Sequence, residues 1–305
     1  MYPLKLTSVL KDILWGGTRL SEEYGKGTPG QKIAEAWVLS LREEGENIVE
    51  NGVFSGKTLS ETGLFSKPFP LLVKLIDAHD RLSVQVHPND ETAKADGLPG
   101  GKTEMWYILE AADGAELVYG MENVDKETIR KAAESGTLEP YLKHRKVKKG
   151  DVFFIPAGTV HAIGSGILIA EVQQNSNTTY RLYDYDRRDK DGKTRPLHIE
   201  KALEALDVTL PHEENRTEIS EQTDTVTRER LCRCDYFDVQ RLTLTHTAYS
   251  FDGQKMRFFL CLDGEGFFRH ESRDYPFQKG DAYLIPENTG AFSIHTADVC
   301  TLMTV

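Results

Sequence analysis

The segment Lys149-Gly150-Asp151-Val152-Phe153-Phe154-Ile155-Pro156 returns near the end of the chain as Lys279-Gly280-Asp281-Ala282-Tyr283-Leu284-Ile285-Pro286. In both copies a Lys-Gly-Asp turn leads into an apolar strand that stops at proline. Two copies of a strand-rich unit predict two similar β-domains in one chain. The copies then diverge: the first continues Ala157-Gly158-Thr159-Val160-His161 and the second Glu287-Asn288-Thr289-Gly290-Ala291. Ala291 stands where the first copy has His161, so the chemistry is expected in the first copy.

Upstream of that copy, Ser83, Gln85 and His87 alternate with Leu82, Val84 and Val86 before the run breaks at Pro88-Asn89-Asp90. Period-2 alternation reads as a strand with one polar face, and Pro-Asn-Asp as a turn. A strand that simply faces water carries Lys, Glu or Thr on that face. A hydroxyl, an amide and an imidazole suit the inside of a barrel that holds a metal or a polar ligand.

The 305 residues suffice for two domains, and 39% hydrophobic with 28% charged residues fits a soluble globular protein. No apolar run reaches membrane-spanning length, and the N-terminal Met1-Tyr2-Pro3-Leu4-Lys5-Leu6 has no signal-peptide core. A cytoplasmic protein without membrane contact is expected. The net charge of -11 argues against a nucleic-acid partner, while a local Arg/Lys cluster can still hold a small anion. Cys232, Cys234, Cys261 and Cys300 form neither a redox nor a zinc spacing and are expected to be reduced thiols.

Further strand patterns cover 33–40, 69–76, 104–110, 115–120, 166–172 and 179–183, with 115–120 expected to pair back on 104–110. Between Val124 and Lys146 the spacing turns helical: Asp125-Lys126-Glu127 starts it, and Ile129, Ala132 and Ala133 maintain it. This helical insert, about 124–146, is expected to form a wall or lid of the pocket, and 197–206 is a short helix. The Glu-, Thr- and Asn-rich stretch 211–230 reads as a linker. The predicted fold is mainly β, with a catalytic unit over 1–210 and a degenerate second β-domain over 231–305.

The run G-x5-P-x-G-x2-H from Gly150 to His161 matches the second sequence motif of the cupin jelly rolls in full. The first cupin motif, an H-x-H pair followed by a glutamate, resembles Gln85-x-His87 followed by Glu104, with Gln in place of the first His. The resemblance implies two tandem cupin domains and a ligand set of Gln85, His87, Glu104 and His161. Zinc accepts two imidazoles, a carboxylate and an amide oxygen. The same His-His-Glu core also resembles the facial triad of non-haem iron oxygenases, so ligand types alone leave the metal open.

The stretch 82–90, Gly101-Lys102-Thr103-Glu104-Met105-Trp106-Tyr107 and the Pro-x-Gly-x-x-His turn together resemble the type I mannose-6-phosphate isomerases, short bacterial branch. Trp15-Gly16-Gly17 and Glu35-Ala36-Trp37 are similar to that family's N-terminal segment. The resemblance implies an enzyme with one zinc ion per chain, on Gln85, His87, Glu104 and His161, that interconverts mannose 6-phosphate and fructose 6-phosphate through an enediol. Such a reaction needs proton transfer near C1 and C2, charge stabilisation and a grip on the phosphate. Lys102, two residues before Glu104, would share its face and is the candidate for proton transfer. Arg181 matches the family's catalytic arginine, and its fixed charge suits enediolate stabilisation or phosphate contact. Arg187 stands where longer members place a phosphate-binding lysine. Ser83, Glu171 and Asn177 complete the expected substrate contacts; at Asn177 the longer members carry an acid.

Two rival functions make different demands. A cupin oxygenase with iron on His87, Glu104 and His161 leaves Gln85, Lys102 and Arg181 without a task. A sugar-phosphate sensor requires an effector domain that the second β-domain does not supply. The expected partner is a small sugar phosphate; no pattern sets an oligomeric state.

Overall fold

The computed structural model describes residues 1–65, 68–188, 191–211 and 217–305. The chain forms two compact units, one comprising Asp12–Gly17 with Ile76–Asn215 and the other Met1–Lys11, Thr18–Leu75 and Arg216–Val305. Both are antiparallel β-structures, as the repeat predicts. The repeated turn has one physical requirement in common: Gly150 and Gly280 have φ of 92° and 88°, a left-handed conformation that favours glycine.

The first unit has a five-stranded sheet in the order Leu142–Lys146, Glu116–Met121, His161–Ala162, Val84–Val86, Tyr180–Tyr183. Val84 and Val86 turn one way, into an apolar cluster with Val118, Leu182, Ile129, Ala132, Ala133 and Leu203. Gln85 turns the other way, paired with His161 on one side and Arg181 on the other. Three further strands, Val152–Ile155, Glu104–Ala111 and Ile167–Gln174, lie side by side in a second sheet. There Glu104 pairs with Gln173 and Trp106 with Glu171, so these four side chains share a face.

Three expectations are corrected in this unit. Glu116–Met121 does not pair with Glu104–Ala111 but bonds Leu142–Lys146 and His161–Ala162 in the other sheet. The insert is α-helical over Lys126–Glu134 with a 3-10 turn at Glu139–Tyr141, and its end, Leu142–Lys146, is a strand. Nor is that helix a lid. Its N-cap Asp125 accepts from the Thr128 N–H, and Ile129, Ala132 and Ala133 recur at helical spacing on its buried side. They belong to the same apolar cluster as Val84 and Val86, together with Ala202 and Leu203 of the helix Ile199–Ala205, on the face opposite Gln85. Apolar residues at that period seek apolar strand positions, and those lie on the back of the sheet.

The second unit has an eight-stranded sheet that runs from Glu218–Gln222 and Val226–Arg233 through to Leu4–Thr7 and Ile48–Val49. A four-stranded sheet is formed by Ala248–Phe251, Phe292–His295, Glu265–His270 and Arg273–Gln278. The core contains Phe251, Phe259, Phe268, Phe277, Tyr283 and Phe292. Phe259 and Phe268 lie 5.2 Å apart and Phe251 stacks on Phe292 at 5.1 Å, so rings fill this core.

The boundaries differ from those expected. Residues 218–222 and 226–230 of the predicted linker lie in paired strands. Their charges made them look like solvated loop. In the sheet, those charges pair across strands: Arg230 with Glu218 at 3.2 Å and with Asp238 at 3.1 Å. Residues 212–216 of that stretch lie outside the described residues. The N-terminal residues assigned to the catalytic unit also belong partly here, because Leu4 pairs with Leu284 and Leu6 with Ala282.

Candidate active site

Gln85 is the centre of a transverse row, Arg181–Gln85–His161–Tyr119, in which each residue is paired with the next. His87 follows directly on the strand, and Glu104 starts the strand of the second sheet. His87, Glu104 and His161 bring their ligand atoms within 4.8 Å of one another, all three buried. His87 Nε2 is 3.4 Å from Glu104 Oε2, and His161 Nε2 is 3.4 Å from Glu104 Oε1. His161 Nδ1 donates to the Thr159 carbonyl at 2.9 Å, which leaves the Nε2 lone pair directed at the carboxylate. The Gln85 amide nitrogen lies 3.3 Å from that Nε2. Rotation about the last torsion would bring the amide oxygen there instead.

Lys102 Nζ lies 2.9 Å from Glu104 Oε2 and 3.0 Å from His87 Nε2. Its backbone is strapped to the turn after His87: Lys102 N donates to the Pro88 carbonyl at 2.9 Å, and Gly101 N to Asp90 Oδ1 at 2.8 Å. A Cβ on Gly101 would sit 2.6 Å from the Asn89 carbonyl carbon, so only glycine lets the two segments approach. Burial, followed by the Lys102 charge, pushes His87 down to about 3. Burial also lowers His161. Burial opposes ionisation of Glu104, but Lys102 and His87 overcome it and hold the carboxyl well below its ordinary range. At neutral pH the group is therefore two neutral imidazoles and a carboxylate. Neither Glu104 oxygen receives a hydrogen bond in good geometry from the described residues, despite the Lys102 ion pair. A buried carboxylate left so, facing imidazole lone pairs, fits a divalent cation such as zinc.

The other expected residues make the following contacts. Arg181 Nε donates to Ser83 Oγ at 3.1 Å, and Nη1 to the Pro196 carbonyl at 2.9 Å. Glu171 is buried and accepts from Trp106 Nε1 at 3.0 Å, while the Trp106 ring meets His161 edge-on at 5.4 Å. Asn177 is exposed on the connection before Tyr180–Tyr183. Arg187 makes its bonds to Asp184 and to the Arg81 carbonyl rather than to the His-Glu-His group. Residues 189–190 beside it lie outside the described residues.

Sequence reasoning passed over Asp184 and Arg195. Asp184 sits in the run Tyr183-Asp184-Tyr185-Asp186-Arg187, which has the charge pattern of an ordinary surface strip. Only its burial distinguishes it. Gly101 was legible as a loop glycine, but its close approach to the turn at Pro88 was not.

Residues 3–128 match the family model of the phosphomannose isomerase type I catalytic domain, and residues 227–304 that of the mannose-6-phosphate isomerase cupin domain. The chain is 41% identical over 309 residues to the mannose-6-phosphate isomerase ManA of Bacillus subtilis, covering 98% of this chain and 97% of that protein. It is 38% identical over 293 residues to the mannose-6-phosphate isomerase of Streptococcus mutans, covering 93% and 92%. The crystal structure of the mannose 6-phosphate isomerase from Bacillus subtilis superposes with a TM-score of 0.90 at 34% identity, covering 100% of this chain and 99% of that one. A mannose 6-phosphate isomerase bound with zinc and yttrium shares the fold at 16% identity, with a TM-score of 0.75 over 99% of both chains.

Proposed function

Because the chain belongs to the type I phosphomannose isomerases, which interconvert mannose 6-phosphate and fructose 6-phosphate, we propose that it runs this reaction through an enediol with one zinc ion on Gln85, His87, Glu104 and His161. The observation that carries the proposal is the buried His-Glu-His group, with ligand atoms within 4.8 Å and Lys102 Nζ against two of its members. A zinc-bound relative of the same fold supports the choice of metal. Zinc would supply Lewis-acid polarisation of the carbonyl and a template for the two reacting oxygens.

The chain's own residues have the remaining tasks. Lys102 Nζ, carried on the segment strapped to Pro88, takes the proton from one of the two reacting carbons and returns it to the other. Arg181, in register with Gln85, places a fixed positive charge beside the enediolate, and Ser83 orients it through Nε. Glu171, fixed by Trp106, and the exposed Asn177 contact the sugar. Arg187 takes the phosphate. This substrate and this mechanism are tested by a coupled assay under nitrogen on metal-stripped protein, then after addition of zinc or ferrous iron. Anaerobic turnover restored by zinc is the expected outcome. Stoichiometric metal binding without conversion would sink the proposal, and oxygen uptake in a parallel aerobic run would then favour cupin oxygenase chemistry.

A further inference from the structure

A second concentration of charge in the same unit surrounds the carboxylate of Asp184, whose side chain is 5% exposed. Its Oδ1 accepts from Arg187 Nη2 at 2.5 Å and from Arg195 Nη2 at 2.5 Å; Oδ2 accepts from Arg195 Nε at 2.8 Å. One carboxylate therefore holds two guanidiniums. Arg195 is gripped along its Nε–Nη2 edge, with Nη1 outside the pair. Arg187 is held from its other side by the Arg81 carbonyl, and its Nη1 lies 3.6 Å from the half-exposed Asp80. The Arg81 guanidinium stacks on Tyr185 at 3.6 Å. Arg181 is within electrostatic reach: burial lowers it most, and the Arg195 charge lowers it next.

The backbone here is also unusual. Tyr185 and Asp186 have φ of 57° and 53°, which non-glycine residues seldom adopt, and the bend lets Arg187 N donate to the Asp184 carbonyl at 3.0 Å. A strained turn persists where its surroundings over-determine it, and such turns concentrate at functional sites.

A structural ion pair at Asp184 needs one arginine. The second shares that carboxylate, and the other ion-pair partner of Arg187, Asp80, is half exposed at 3.6 Å, so the pair of guanidiniums holds donors that can turn to an anion. Arg187 and Arg195 bond Asp184, Arg81 stacks beside them on Tyr185 and Arg181 is within electrostatic reach of Arg195, so positive side chains gather here on a chain whose net charge is -11. We propose that Arg195, paired with Arg187 on Asp184, is a further phosphate-contacting residue, and that Asp184 is the positioning residue that aims both guanidiniums. The inference rests on the substrate being a sugar phosphate. A guanidinium held along one edge can offer its other donors to phosphate oxygens in fixed directions, which a lysine at this position could not.

The test uses the full chain with zinc bound, comparing the wild type with Arg195→Ala, Arg195→Lys and Asp184→Asn. Turnover of mannose 6-phosphate by the wild type is measured first; its absence would overturn the substrate reading itself. Inorganic phosphate then serves as a competitive probe. Arg195→Ala is expected to weaken phosphate inhibition and raise KM by about tenfold, with a smaller fall in kcat. Arg195→Lys loses less, and Asp184→Asn weakens phosphate inhibition while every arginine remains. Phosphate inhibition within about twofold of wild type in both Arg195 variants, at temperatures where they are folded, would overturn the role of Arg195 and leave the substrate reading intact.

Discussion

Asp184 is the residue whose environment departs furthest from what its neighbours in sequence suggest. Burial opposes its ionisation, but the hydrogen bonds from Arg195 and Arg187 win and set its carboxyl below the ordinary aspartate value. A group depressed on folding contributes stability above its unfolded pKa, about 3.9, and loses it as pH falls through the folded value. The thermal midpoint of the wild type should therefore drop more steeply than that of Asp184→Asn below about pH 4. The two melting curves, taken at a series of pH values, should converge on the acid side. A constant gap between them would show that the carboxylate's charge contributes nothing to the fold.

Among the elements, the helix Lys126–Glu134 and the strand Val84–Val86 are two sides of one arrangement. Burying Ile129 in the apolar cluster that also holds these valines contributes roughly 2 kcal/mol, and the valine positions put Gln85 on the opposite face. The helix thus fixes the site from behind. Asp125→Ala removes its N-cap bond to Thr128 and should cost about 1 kcal/mol of stability. KM for mannose 6-phosphate should stay at its wild-type value, measured by denaturant unfolding and steady-state kinetics on one preparation. A changed KM at unchanged stability would restore the lid interpretation.

At the scale of the whole molecule, the two units have the same class of fold and opposite interiors. The first keeps imidazoles, carboxylates and an amide on inward positions, whereas the second fills its core with aromatic rings. Phe268 touches Phe259, Phe277, Tyr283 and Phe292 and is fully buried. Phe268→Ala should destabilise the protein by about 3–5 kcal/mol, read from the denaturant midpoint. A loss below about 1 kcal/mol would mean that the core collapses around the cavity.

The amino-acid sequence by itself determined the class of the fold and the position of the metal-capable group. Both depend on local rules: strand alternation dictates which way Gln85 points, and the repeated Lys-Gly-Asp turn requires a left-handed glycine at Gly150 and Gly280. Tertiary structure decided what local rules cannot reach. The polar stretch at 218–230 is strand because its backbone pairs with neighbouring strands and Val226 turns into the core, while its charges find partners across those strands. The face covered by the helix after Asp125 depended on where apolar strand positions lay in space. Asp184 and Arg195 are eleven residues apart and look like solvated surface; only folding buried the carboxylate and set two arginines on it. Burial of a charge is a property of everything around it, which no short window of sequence contains.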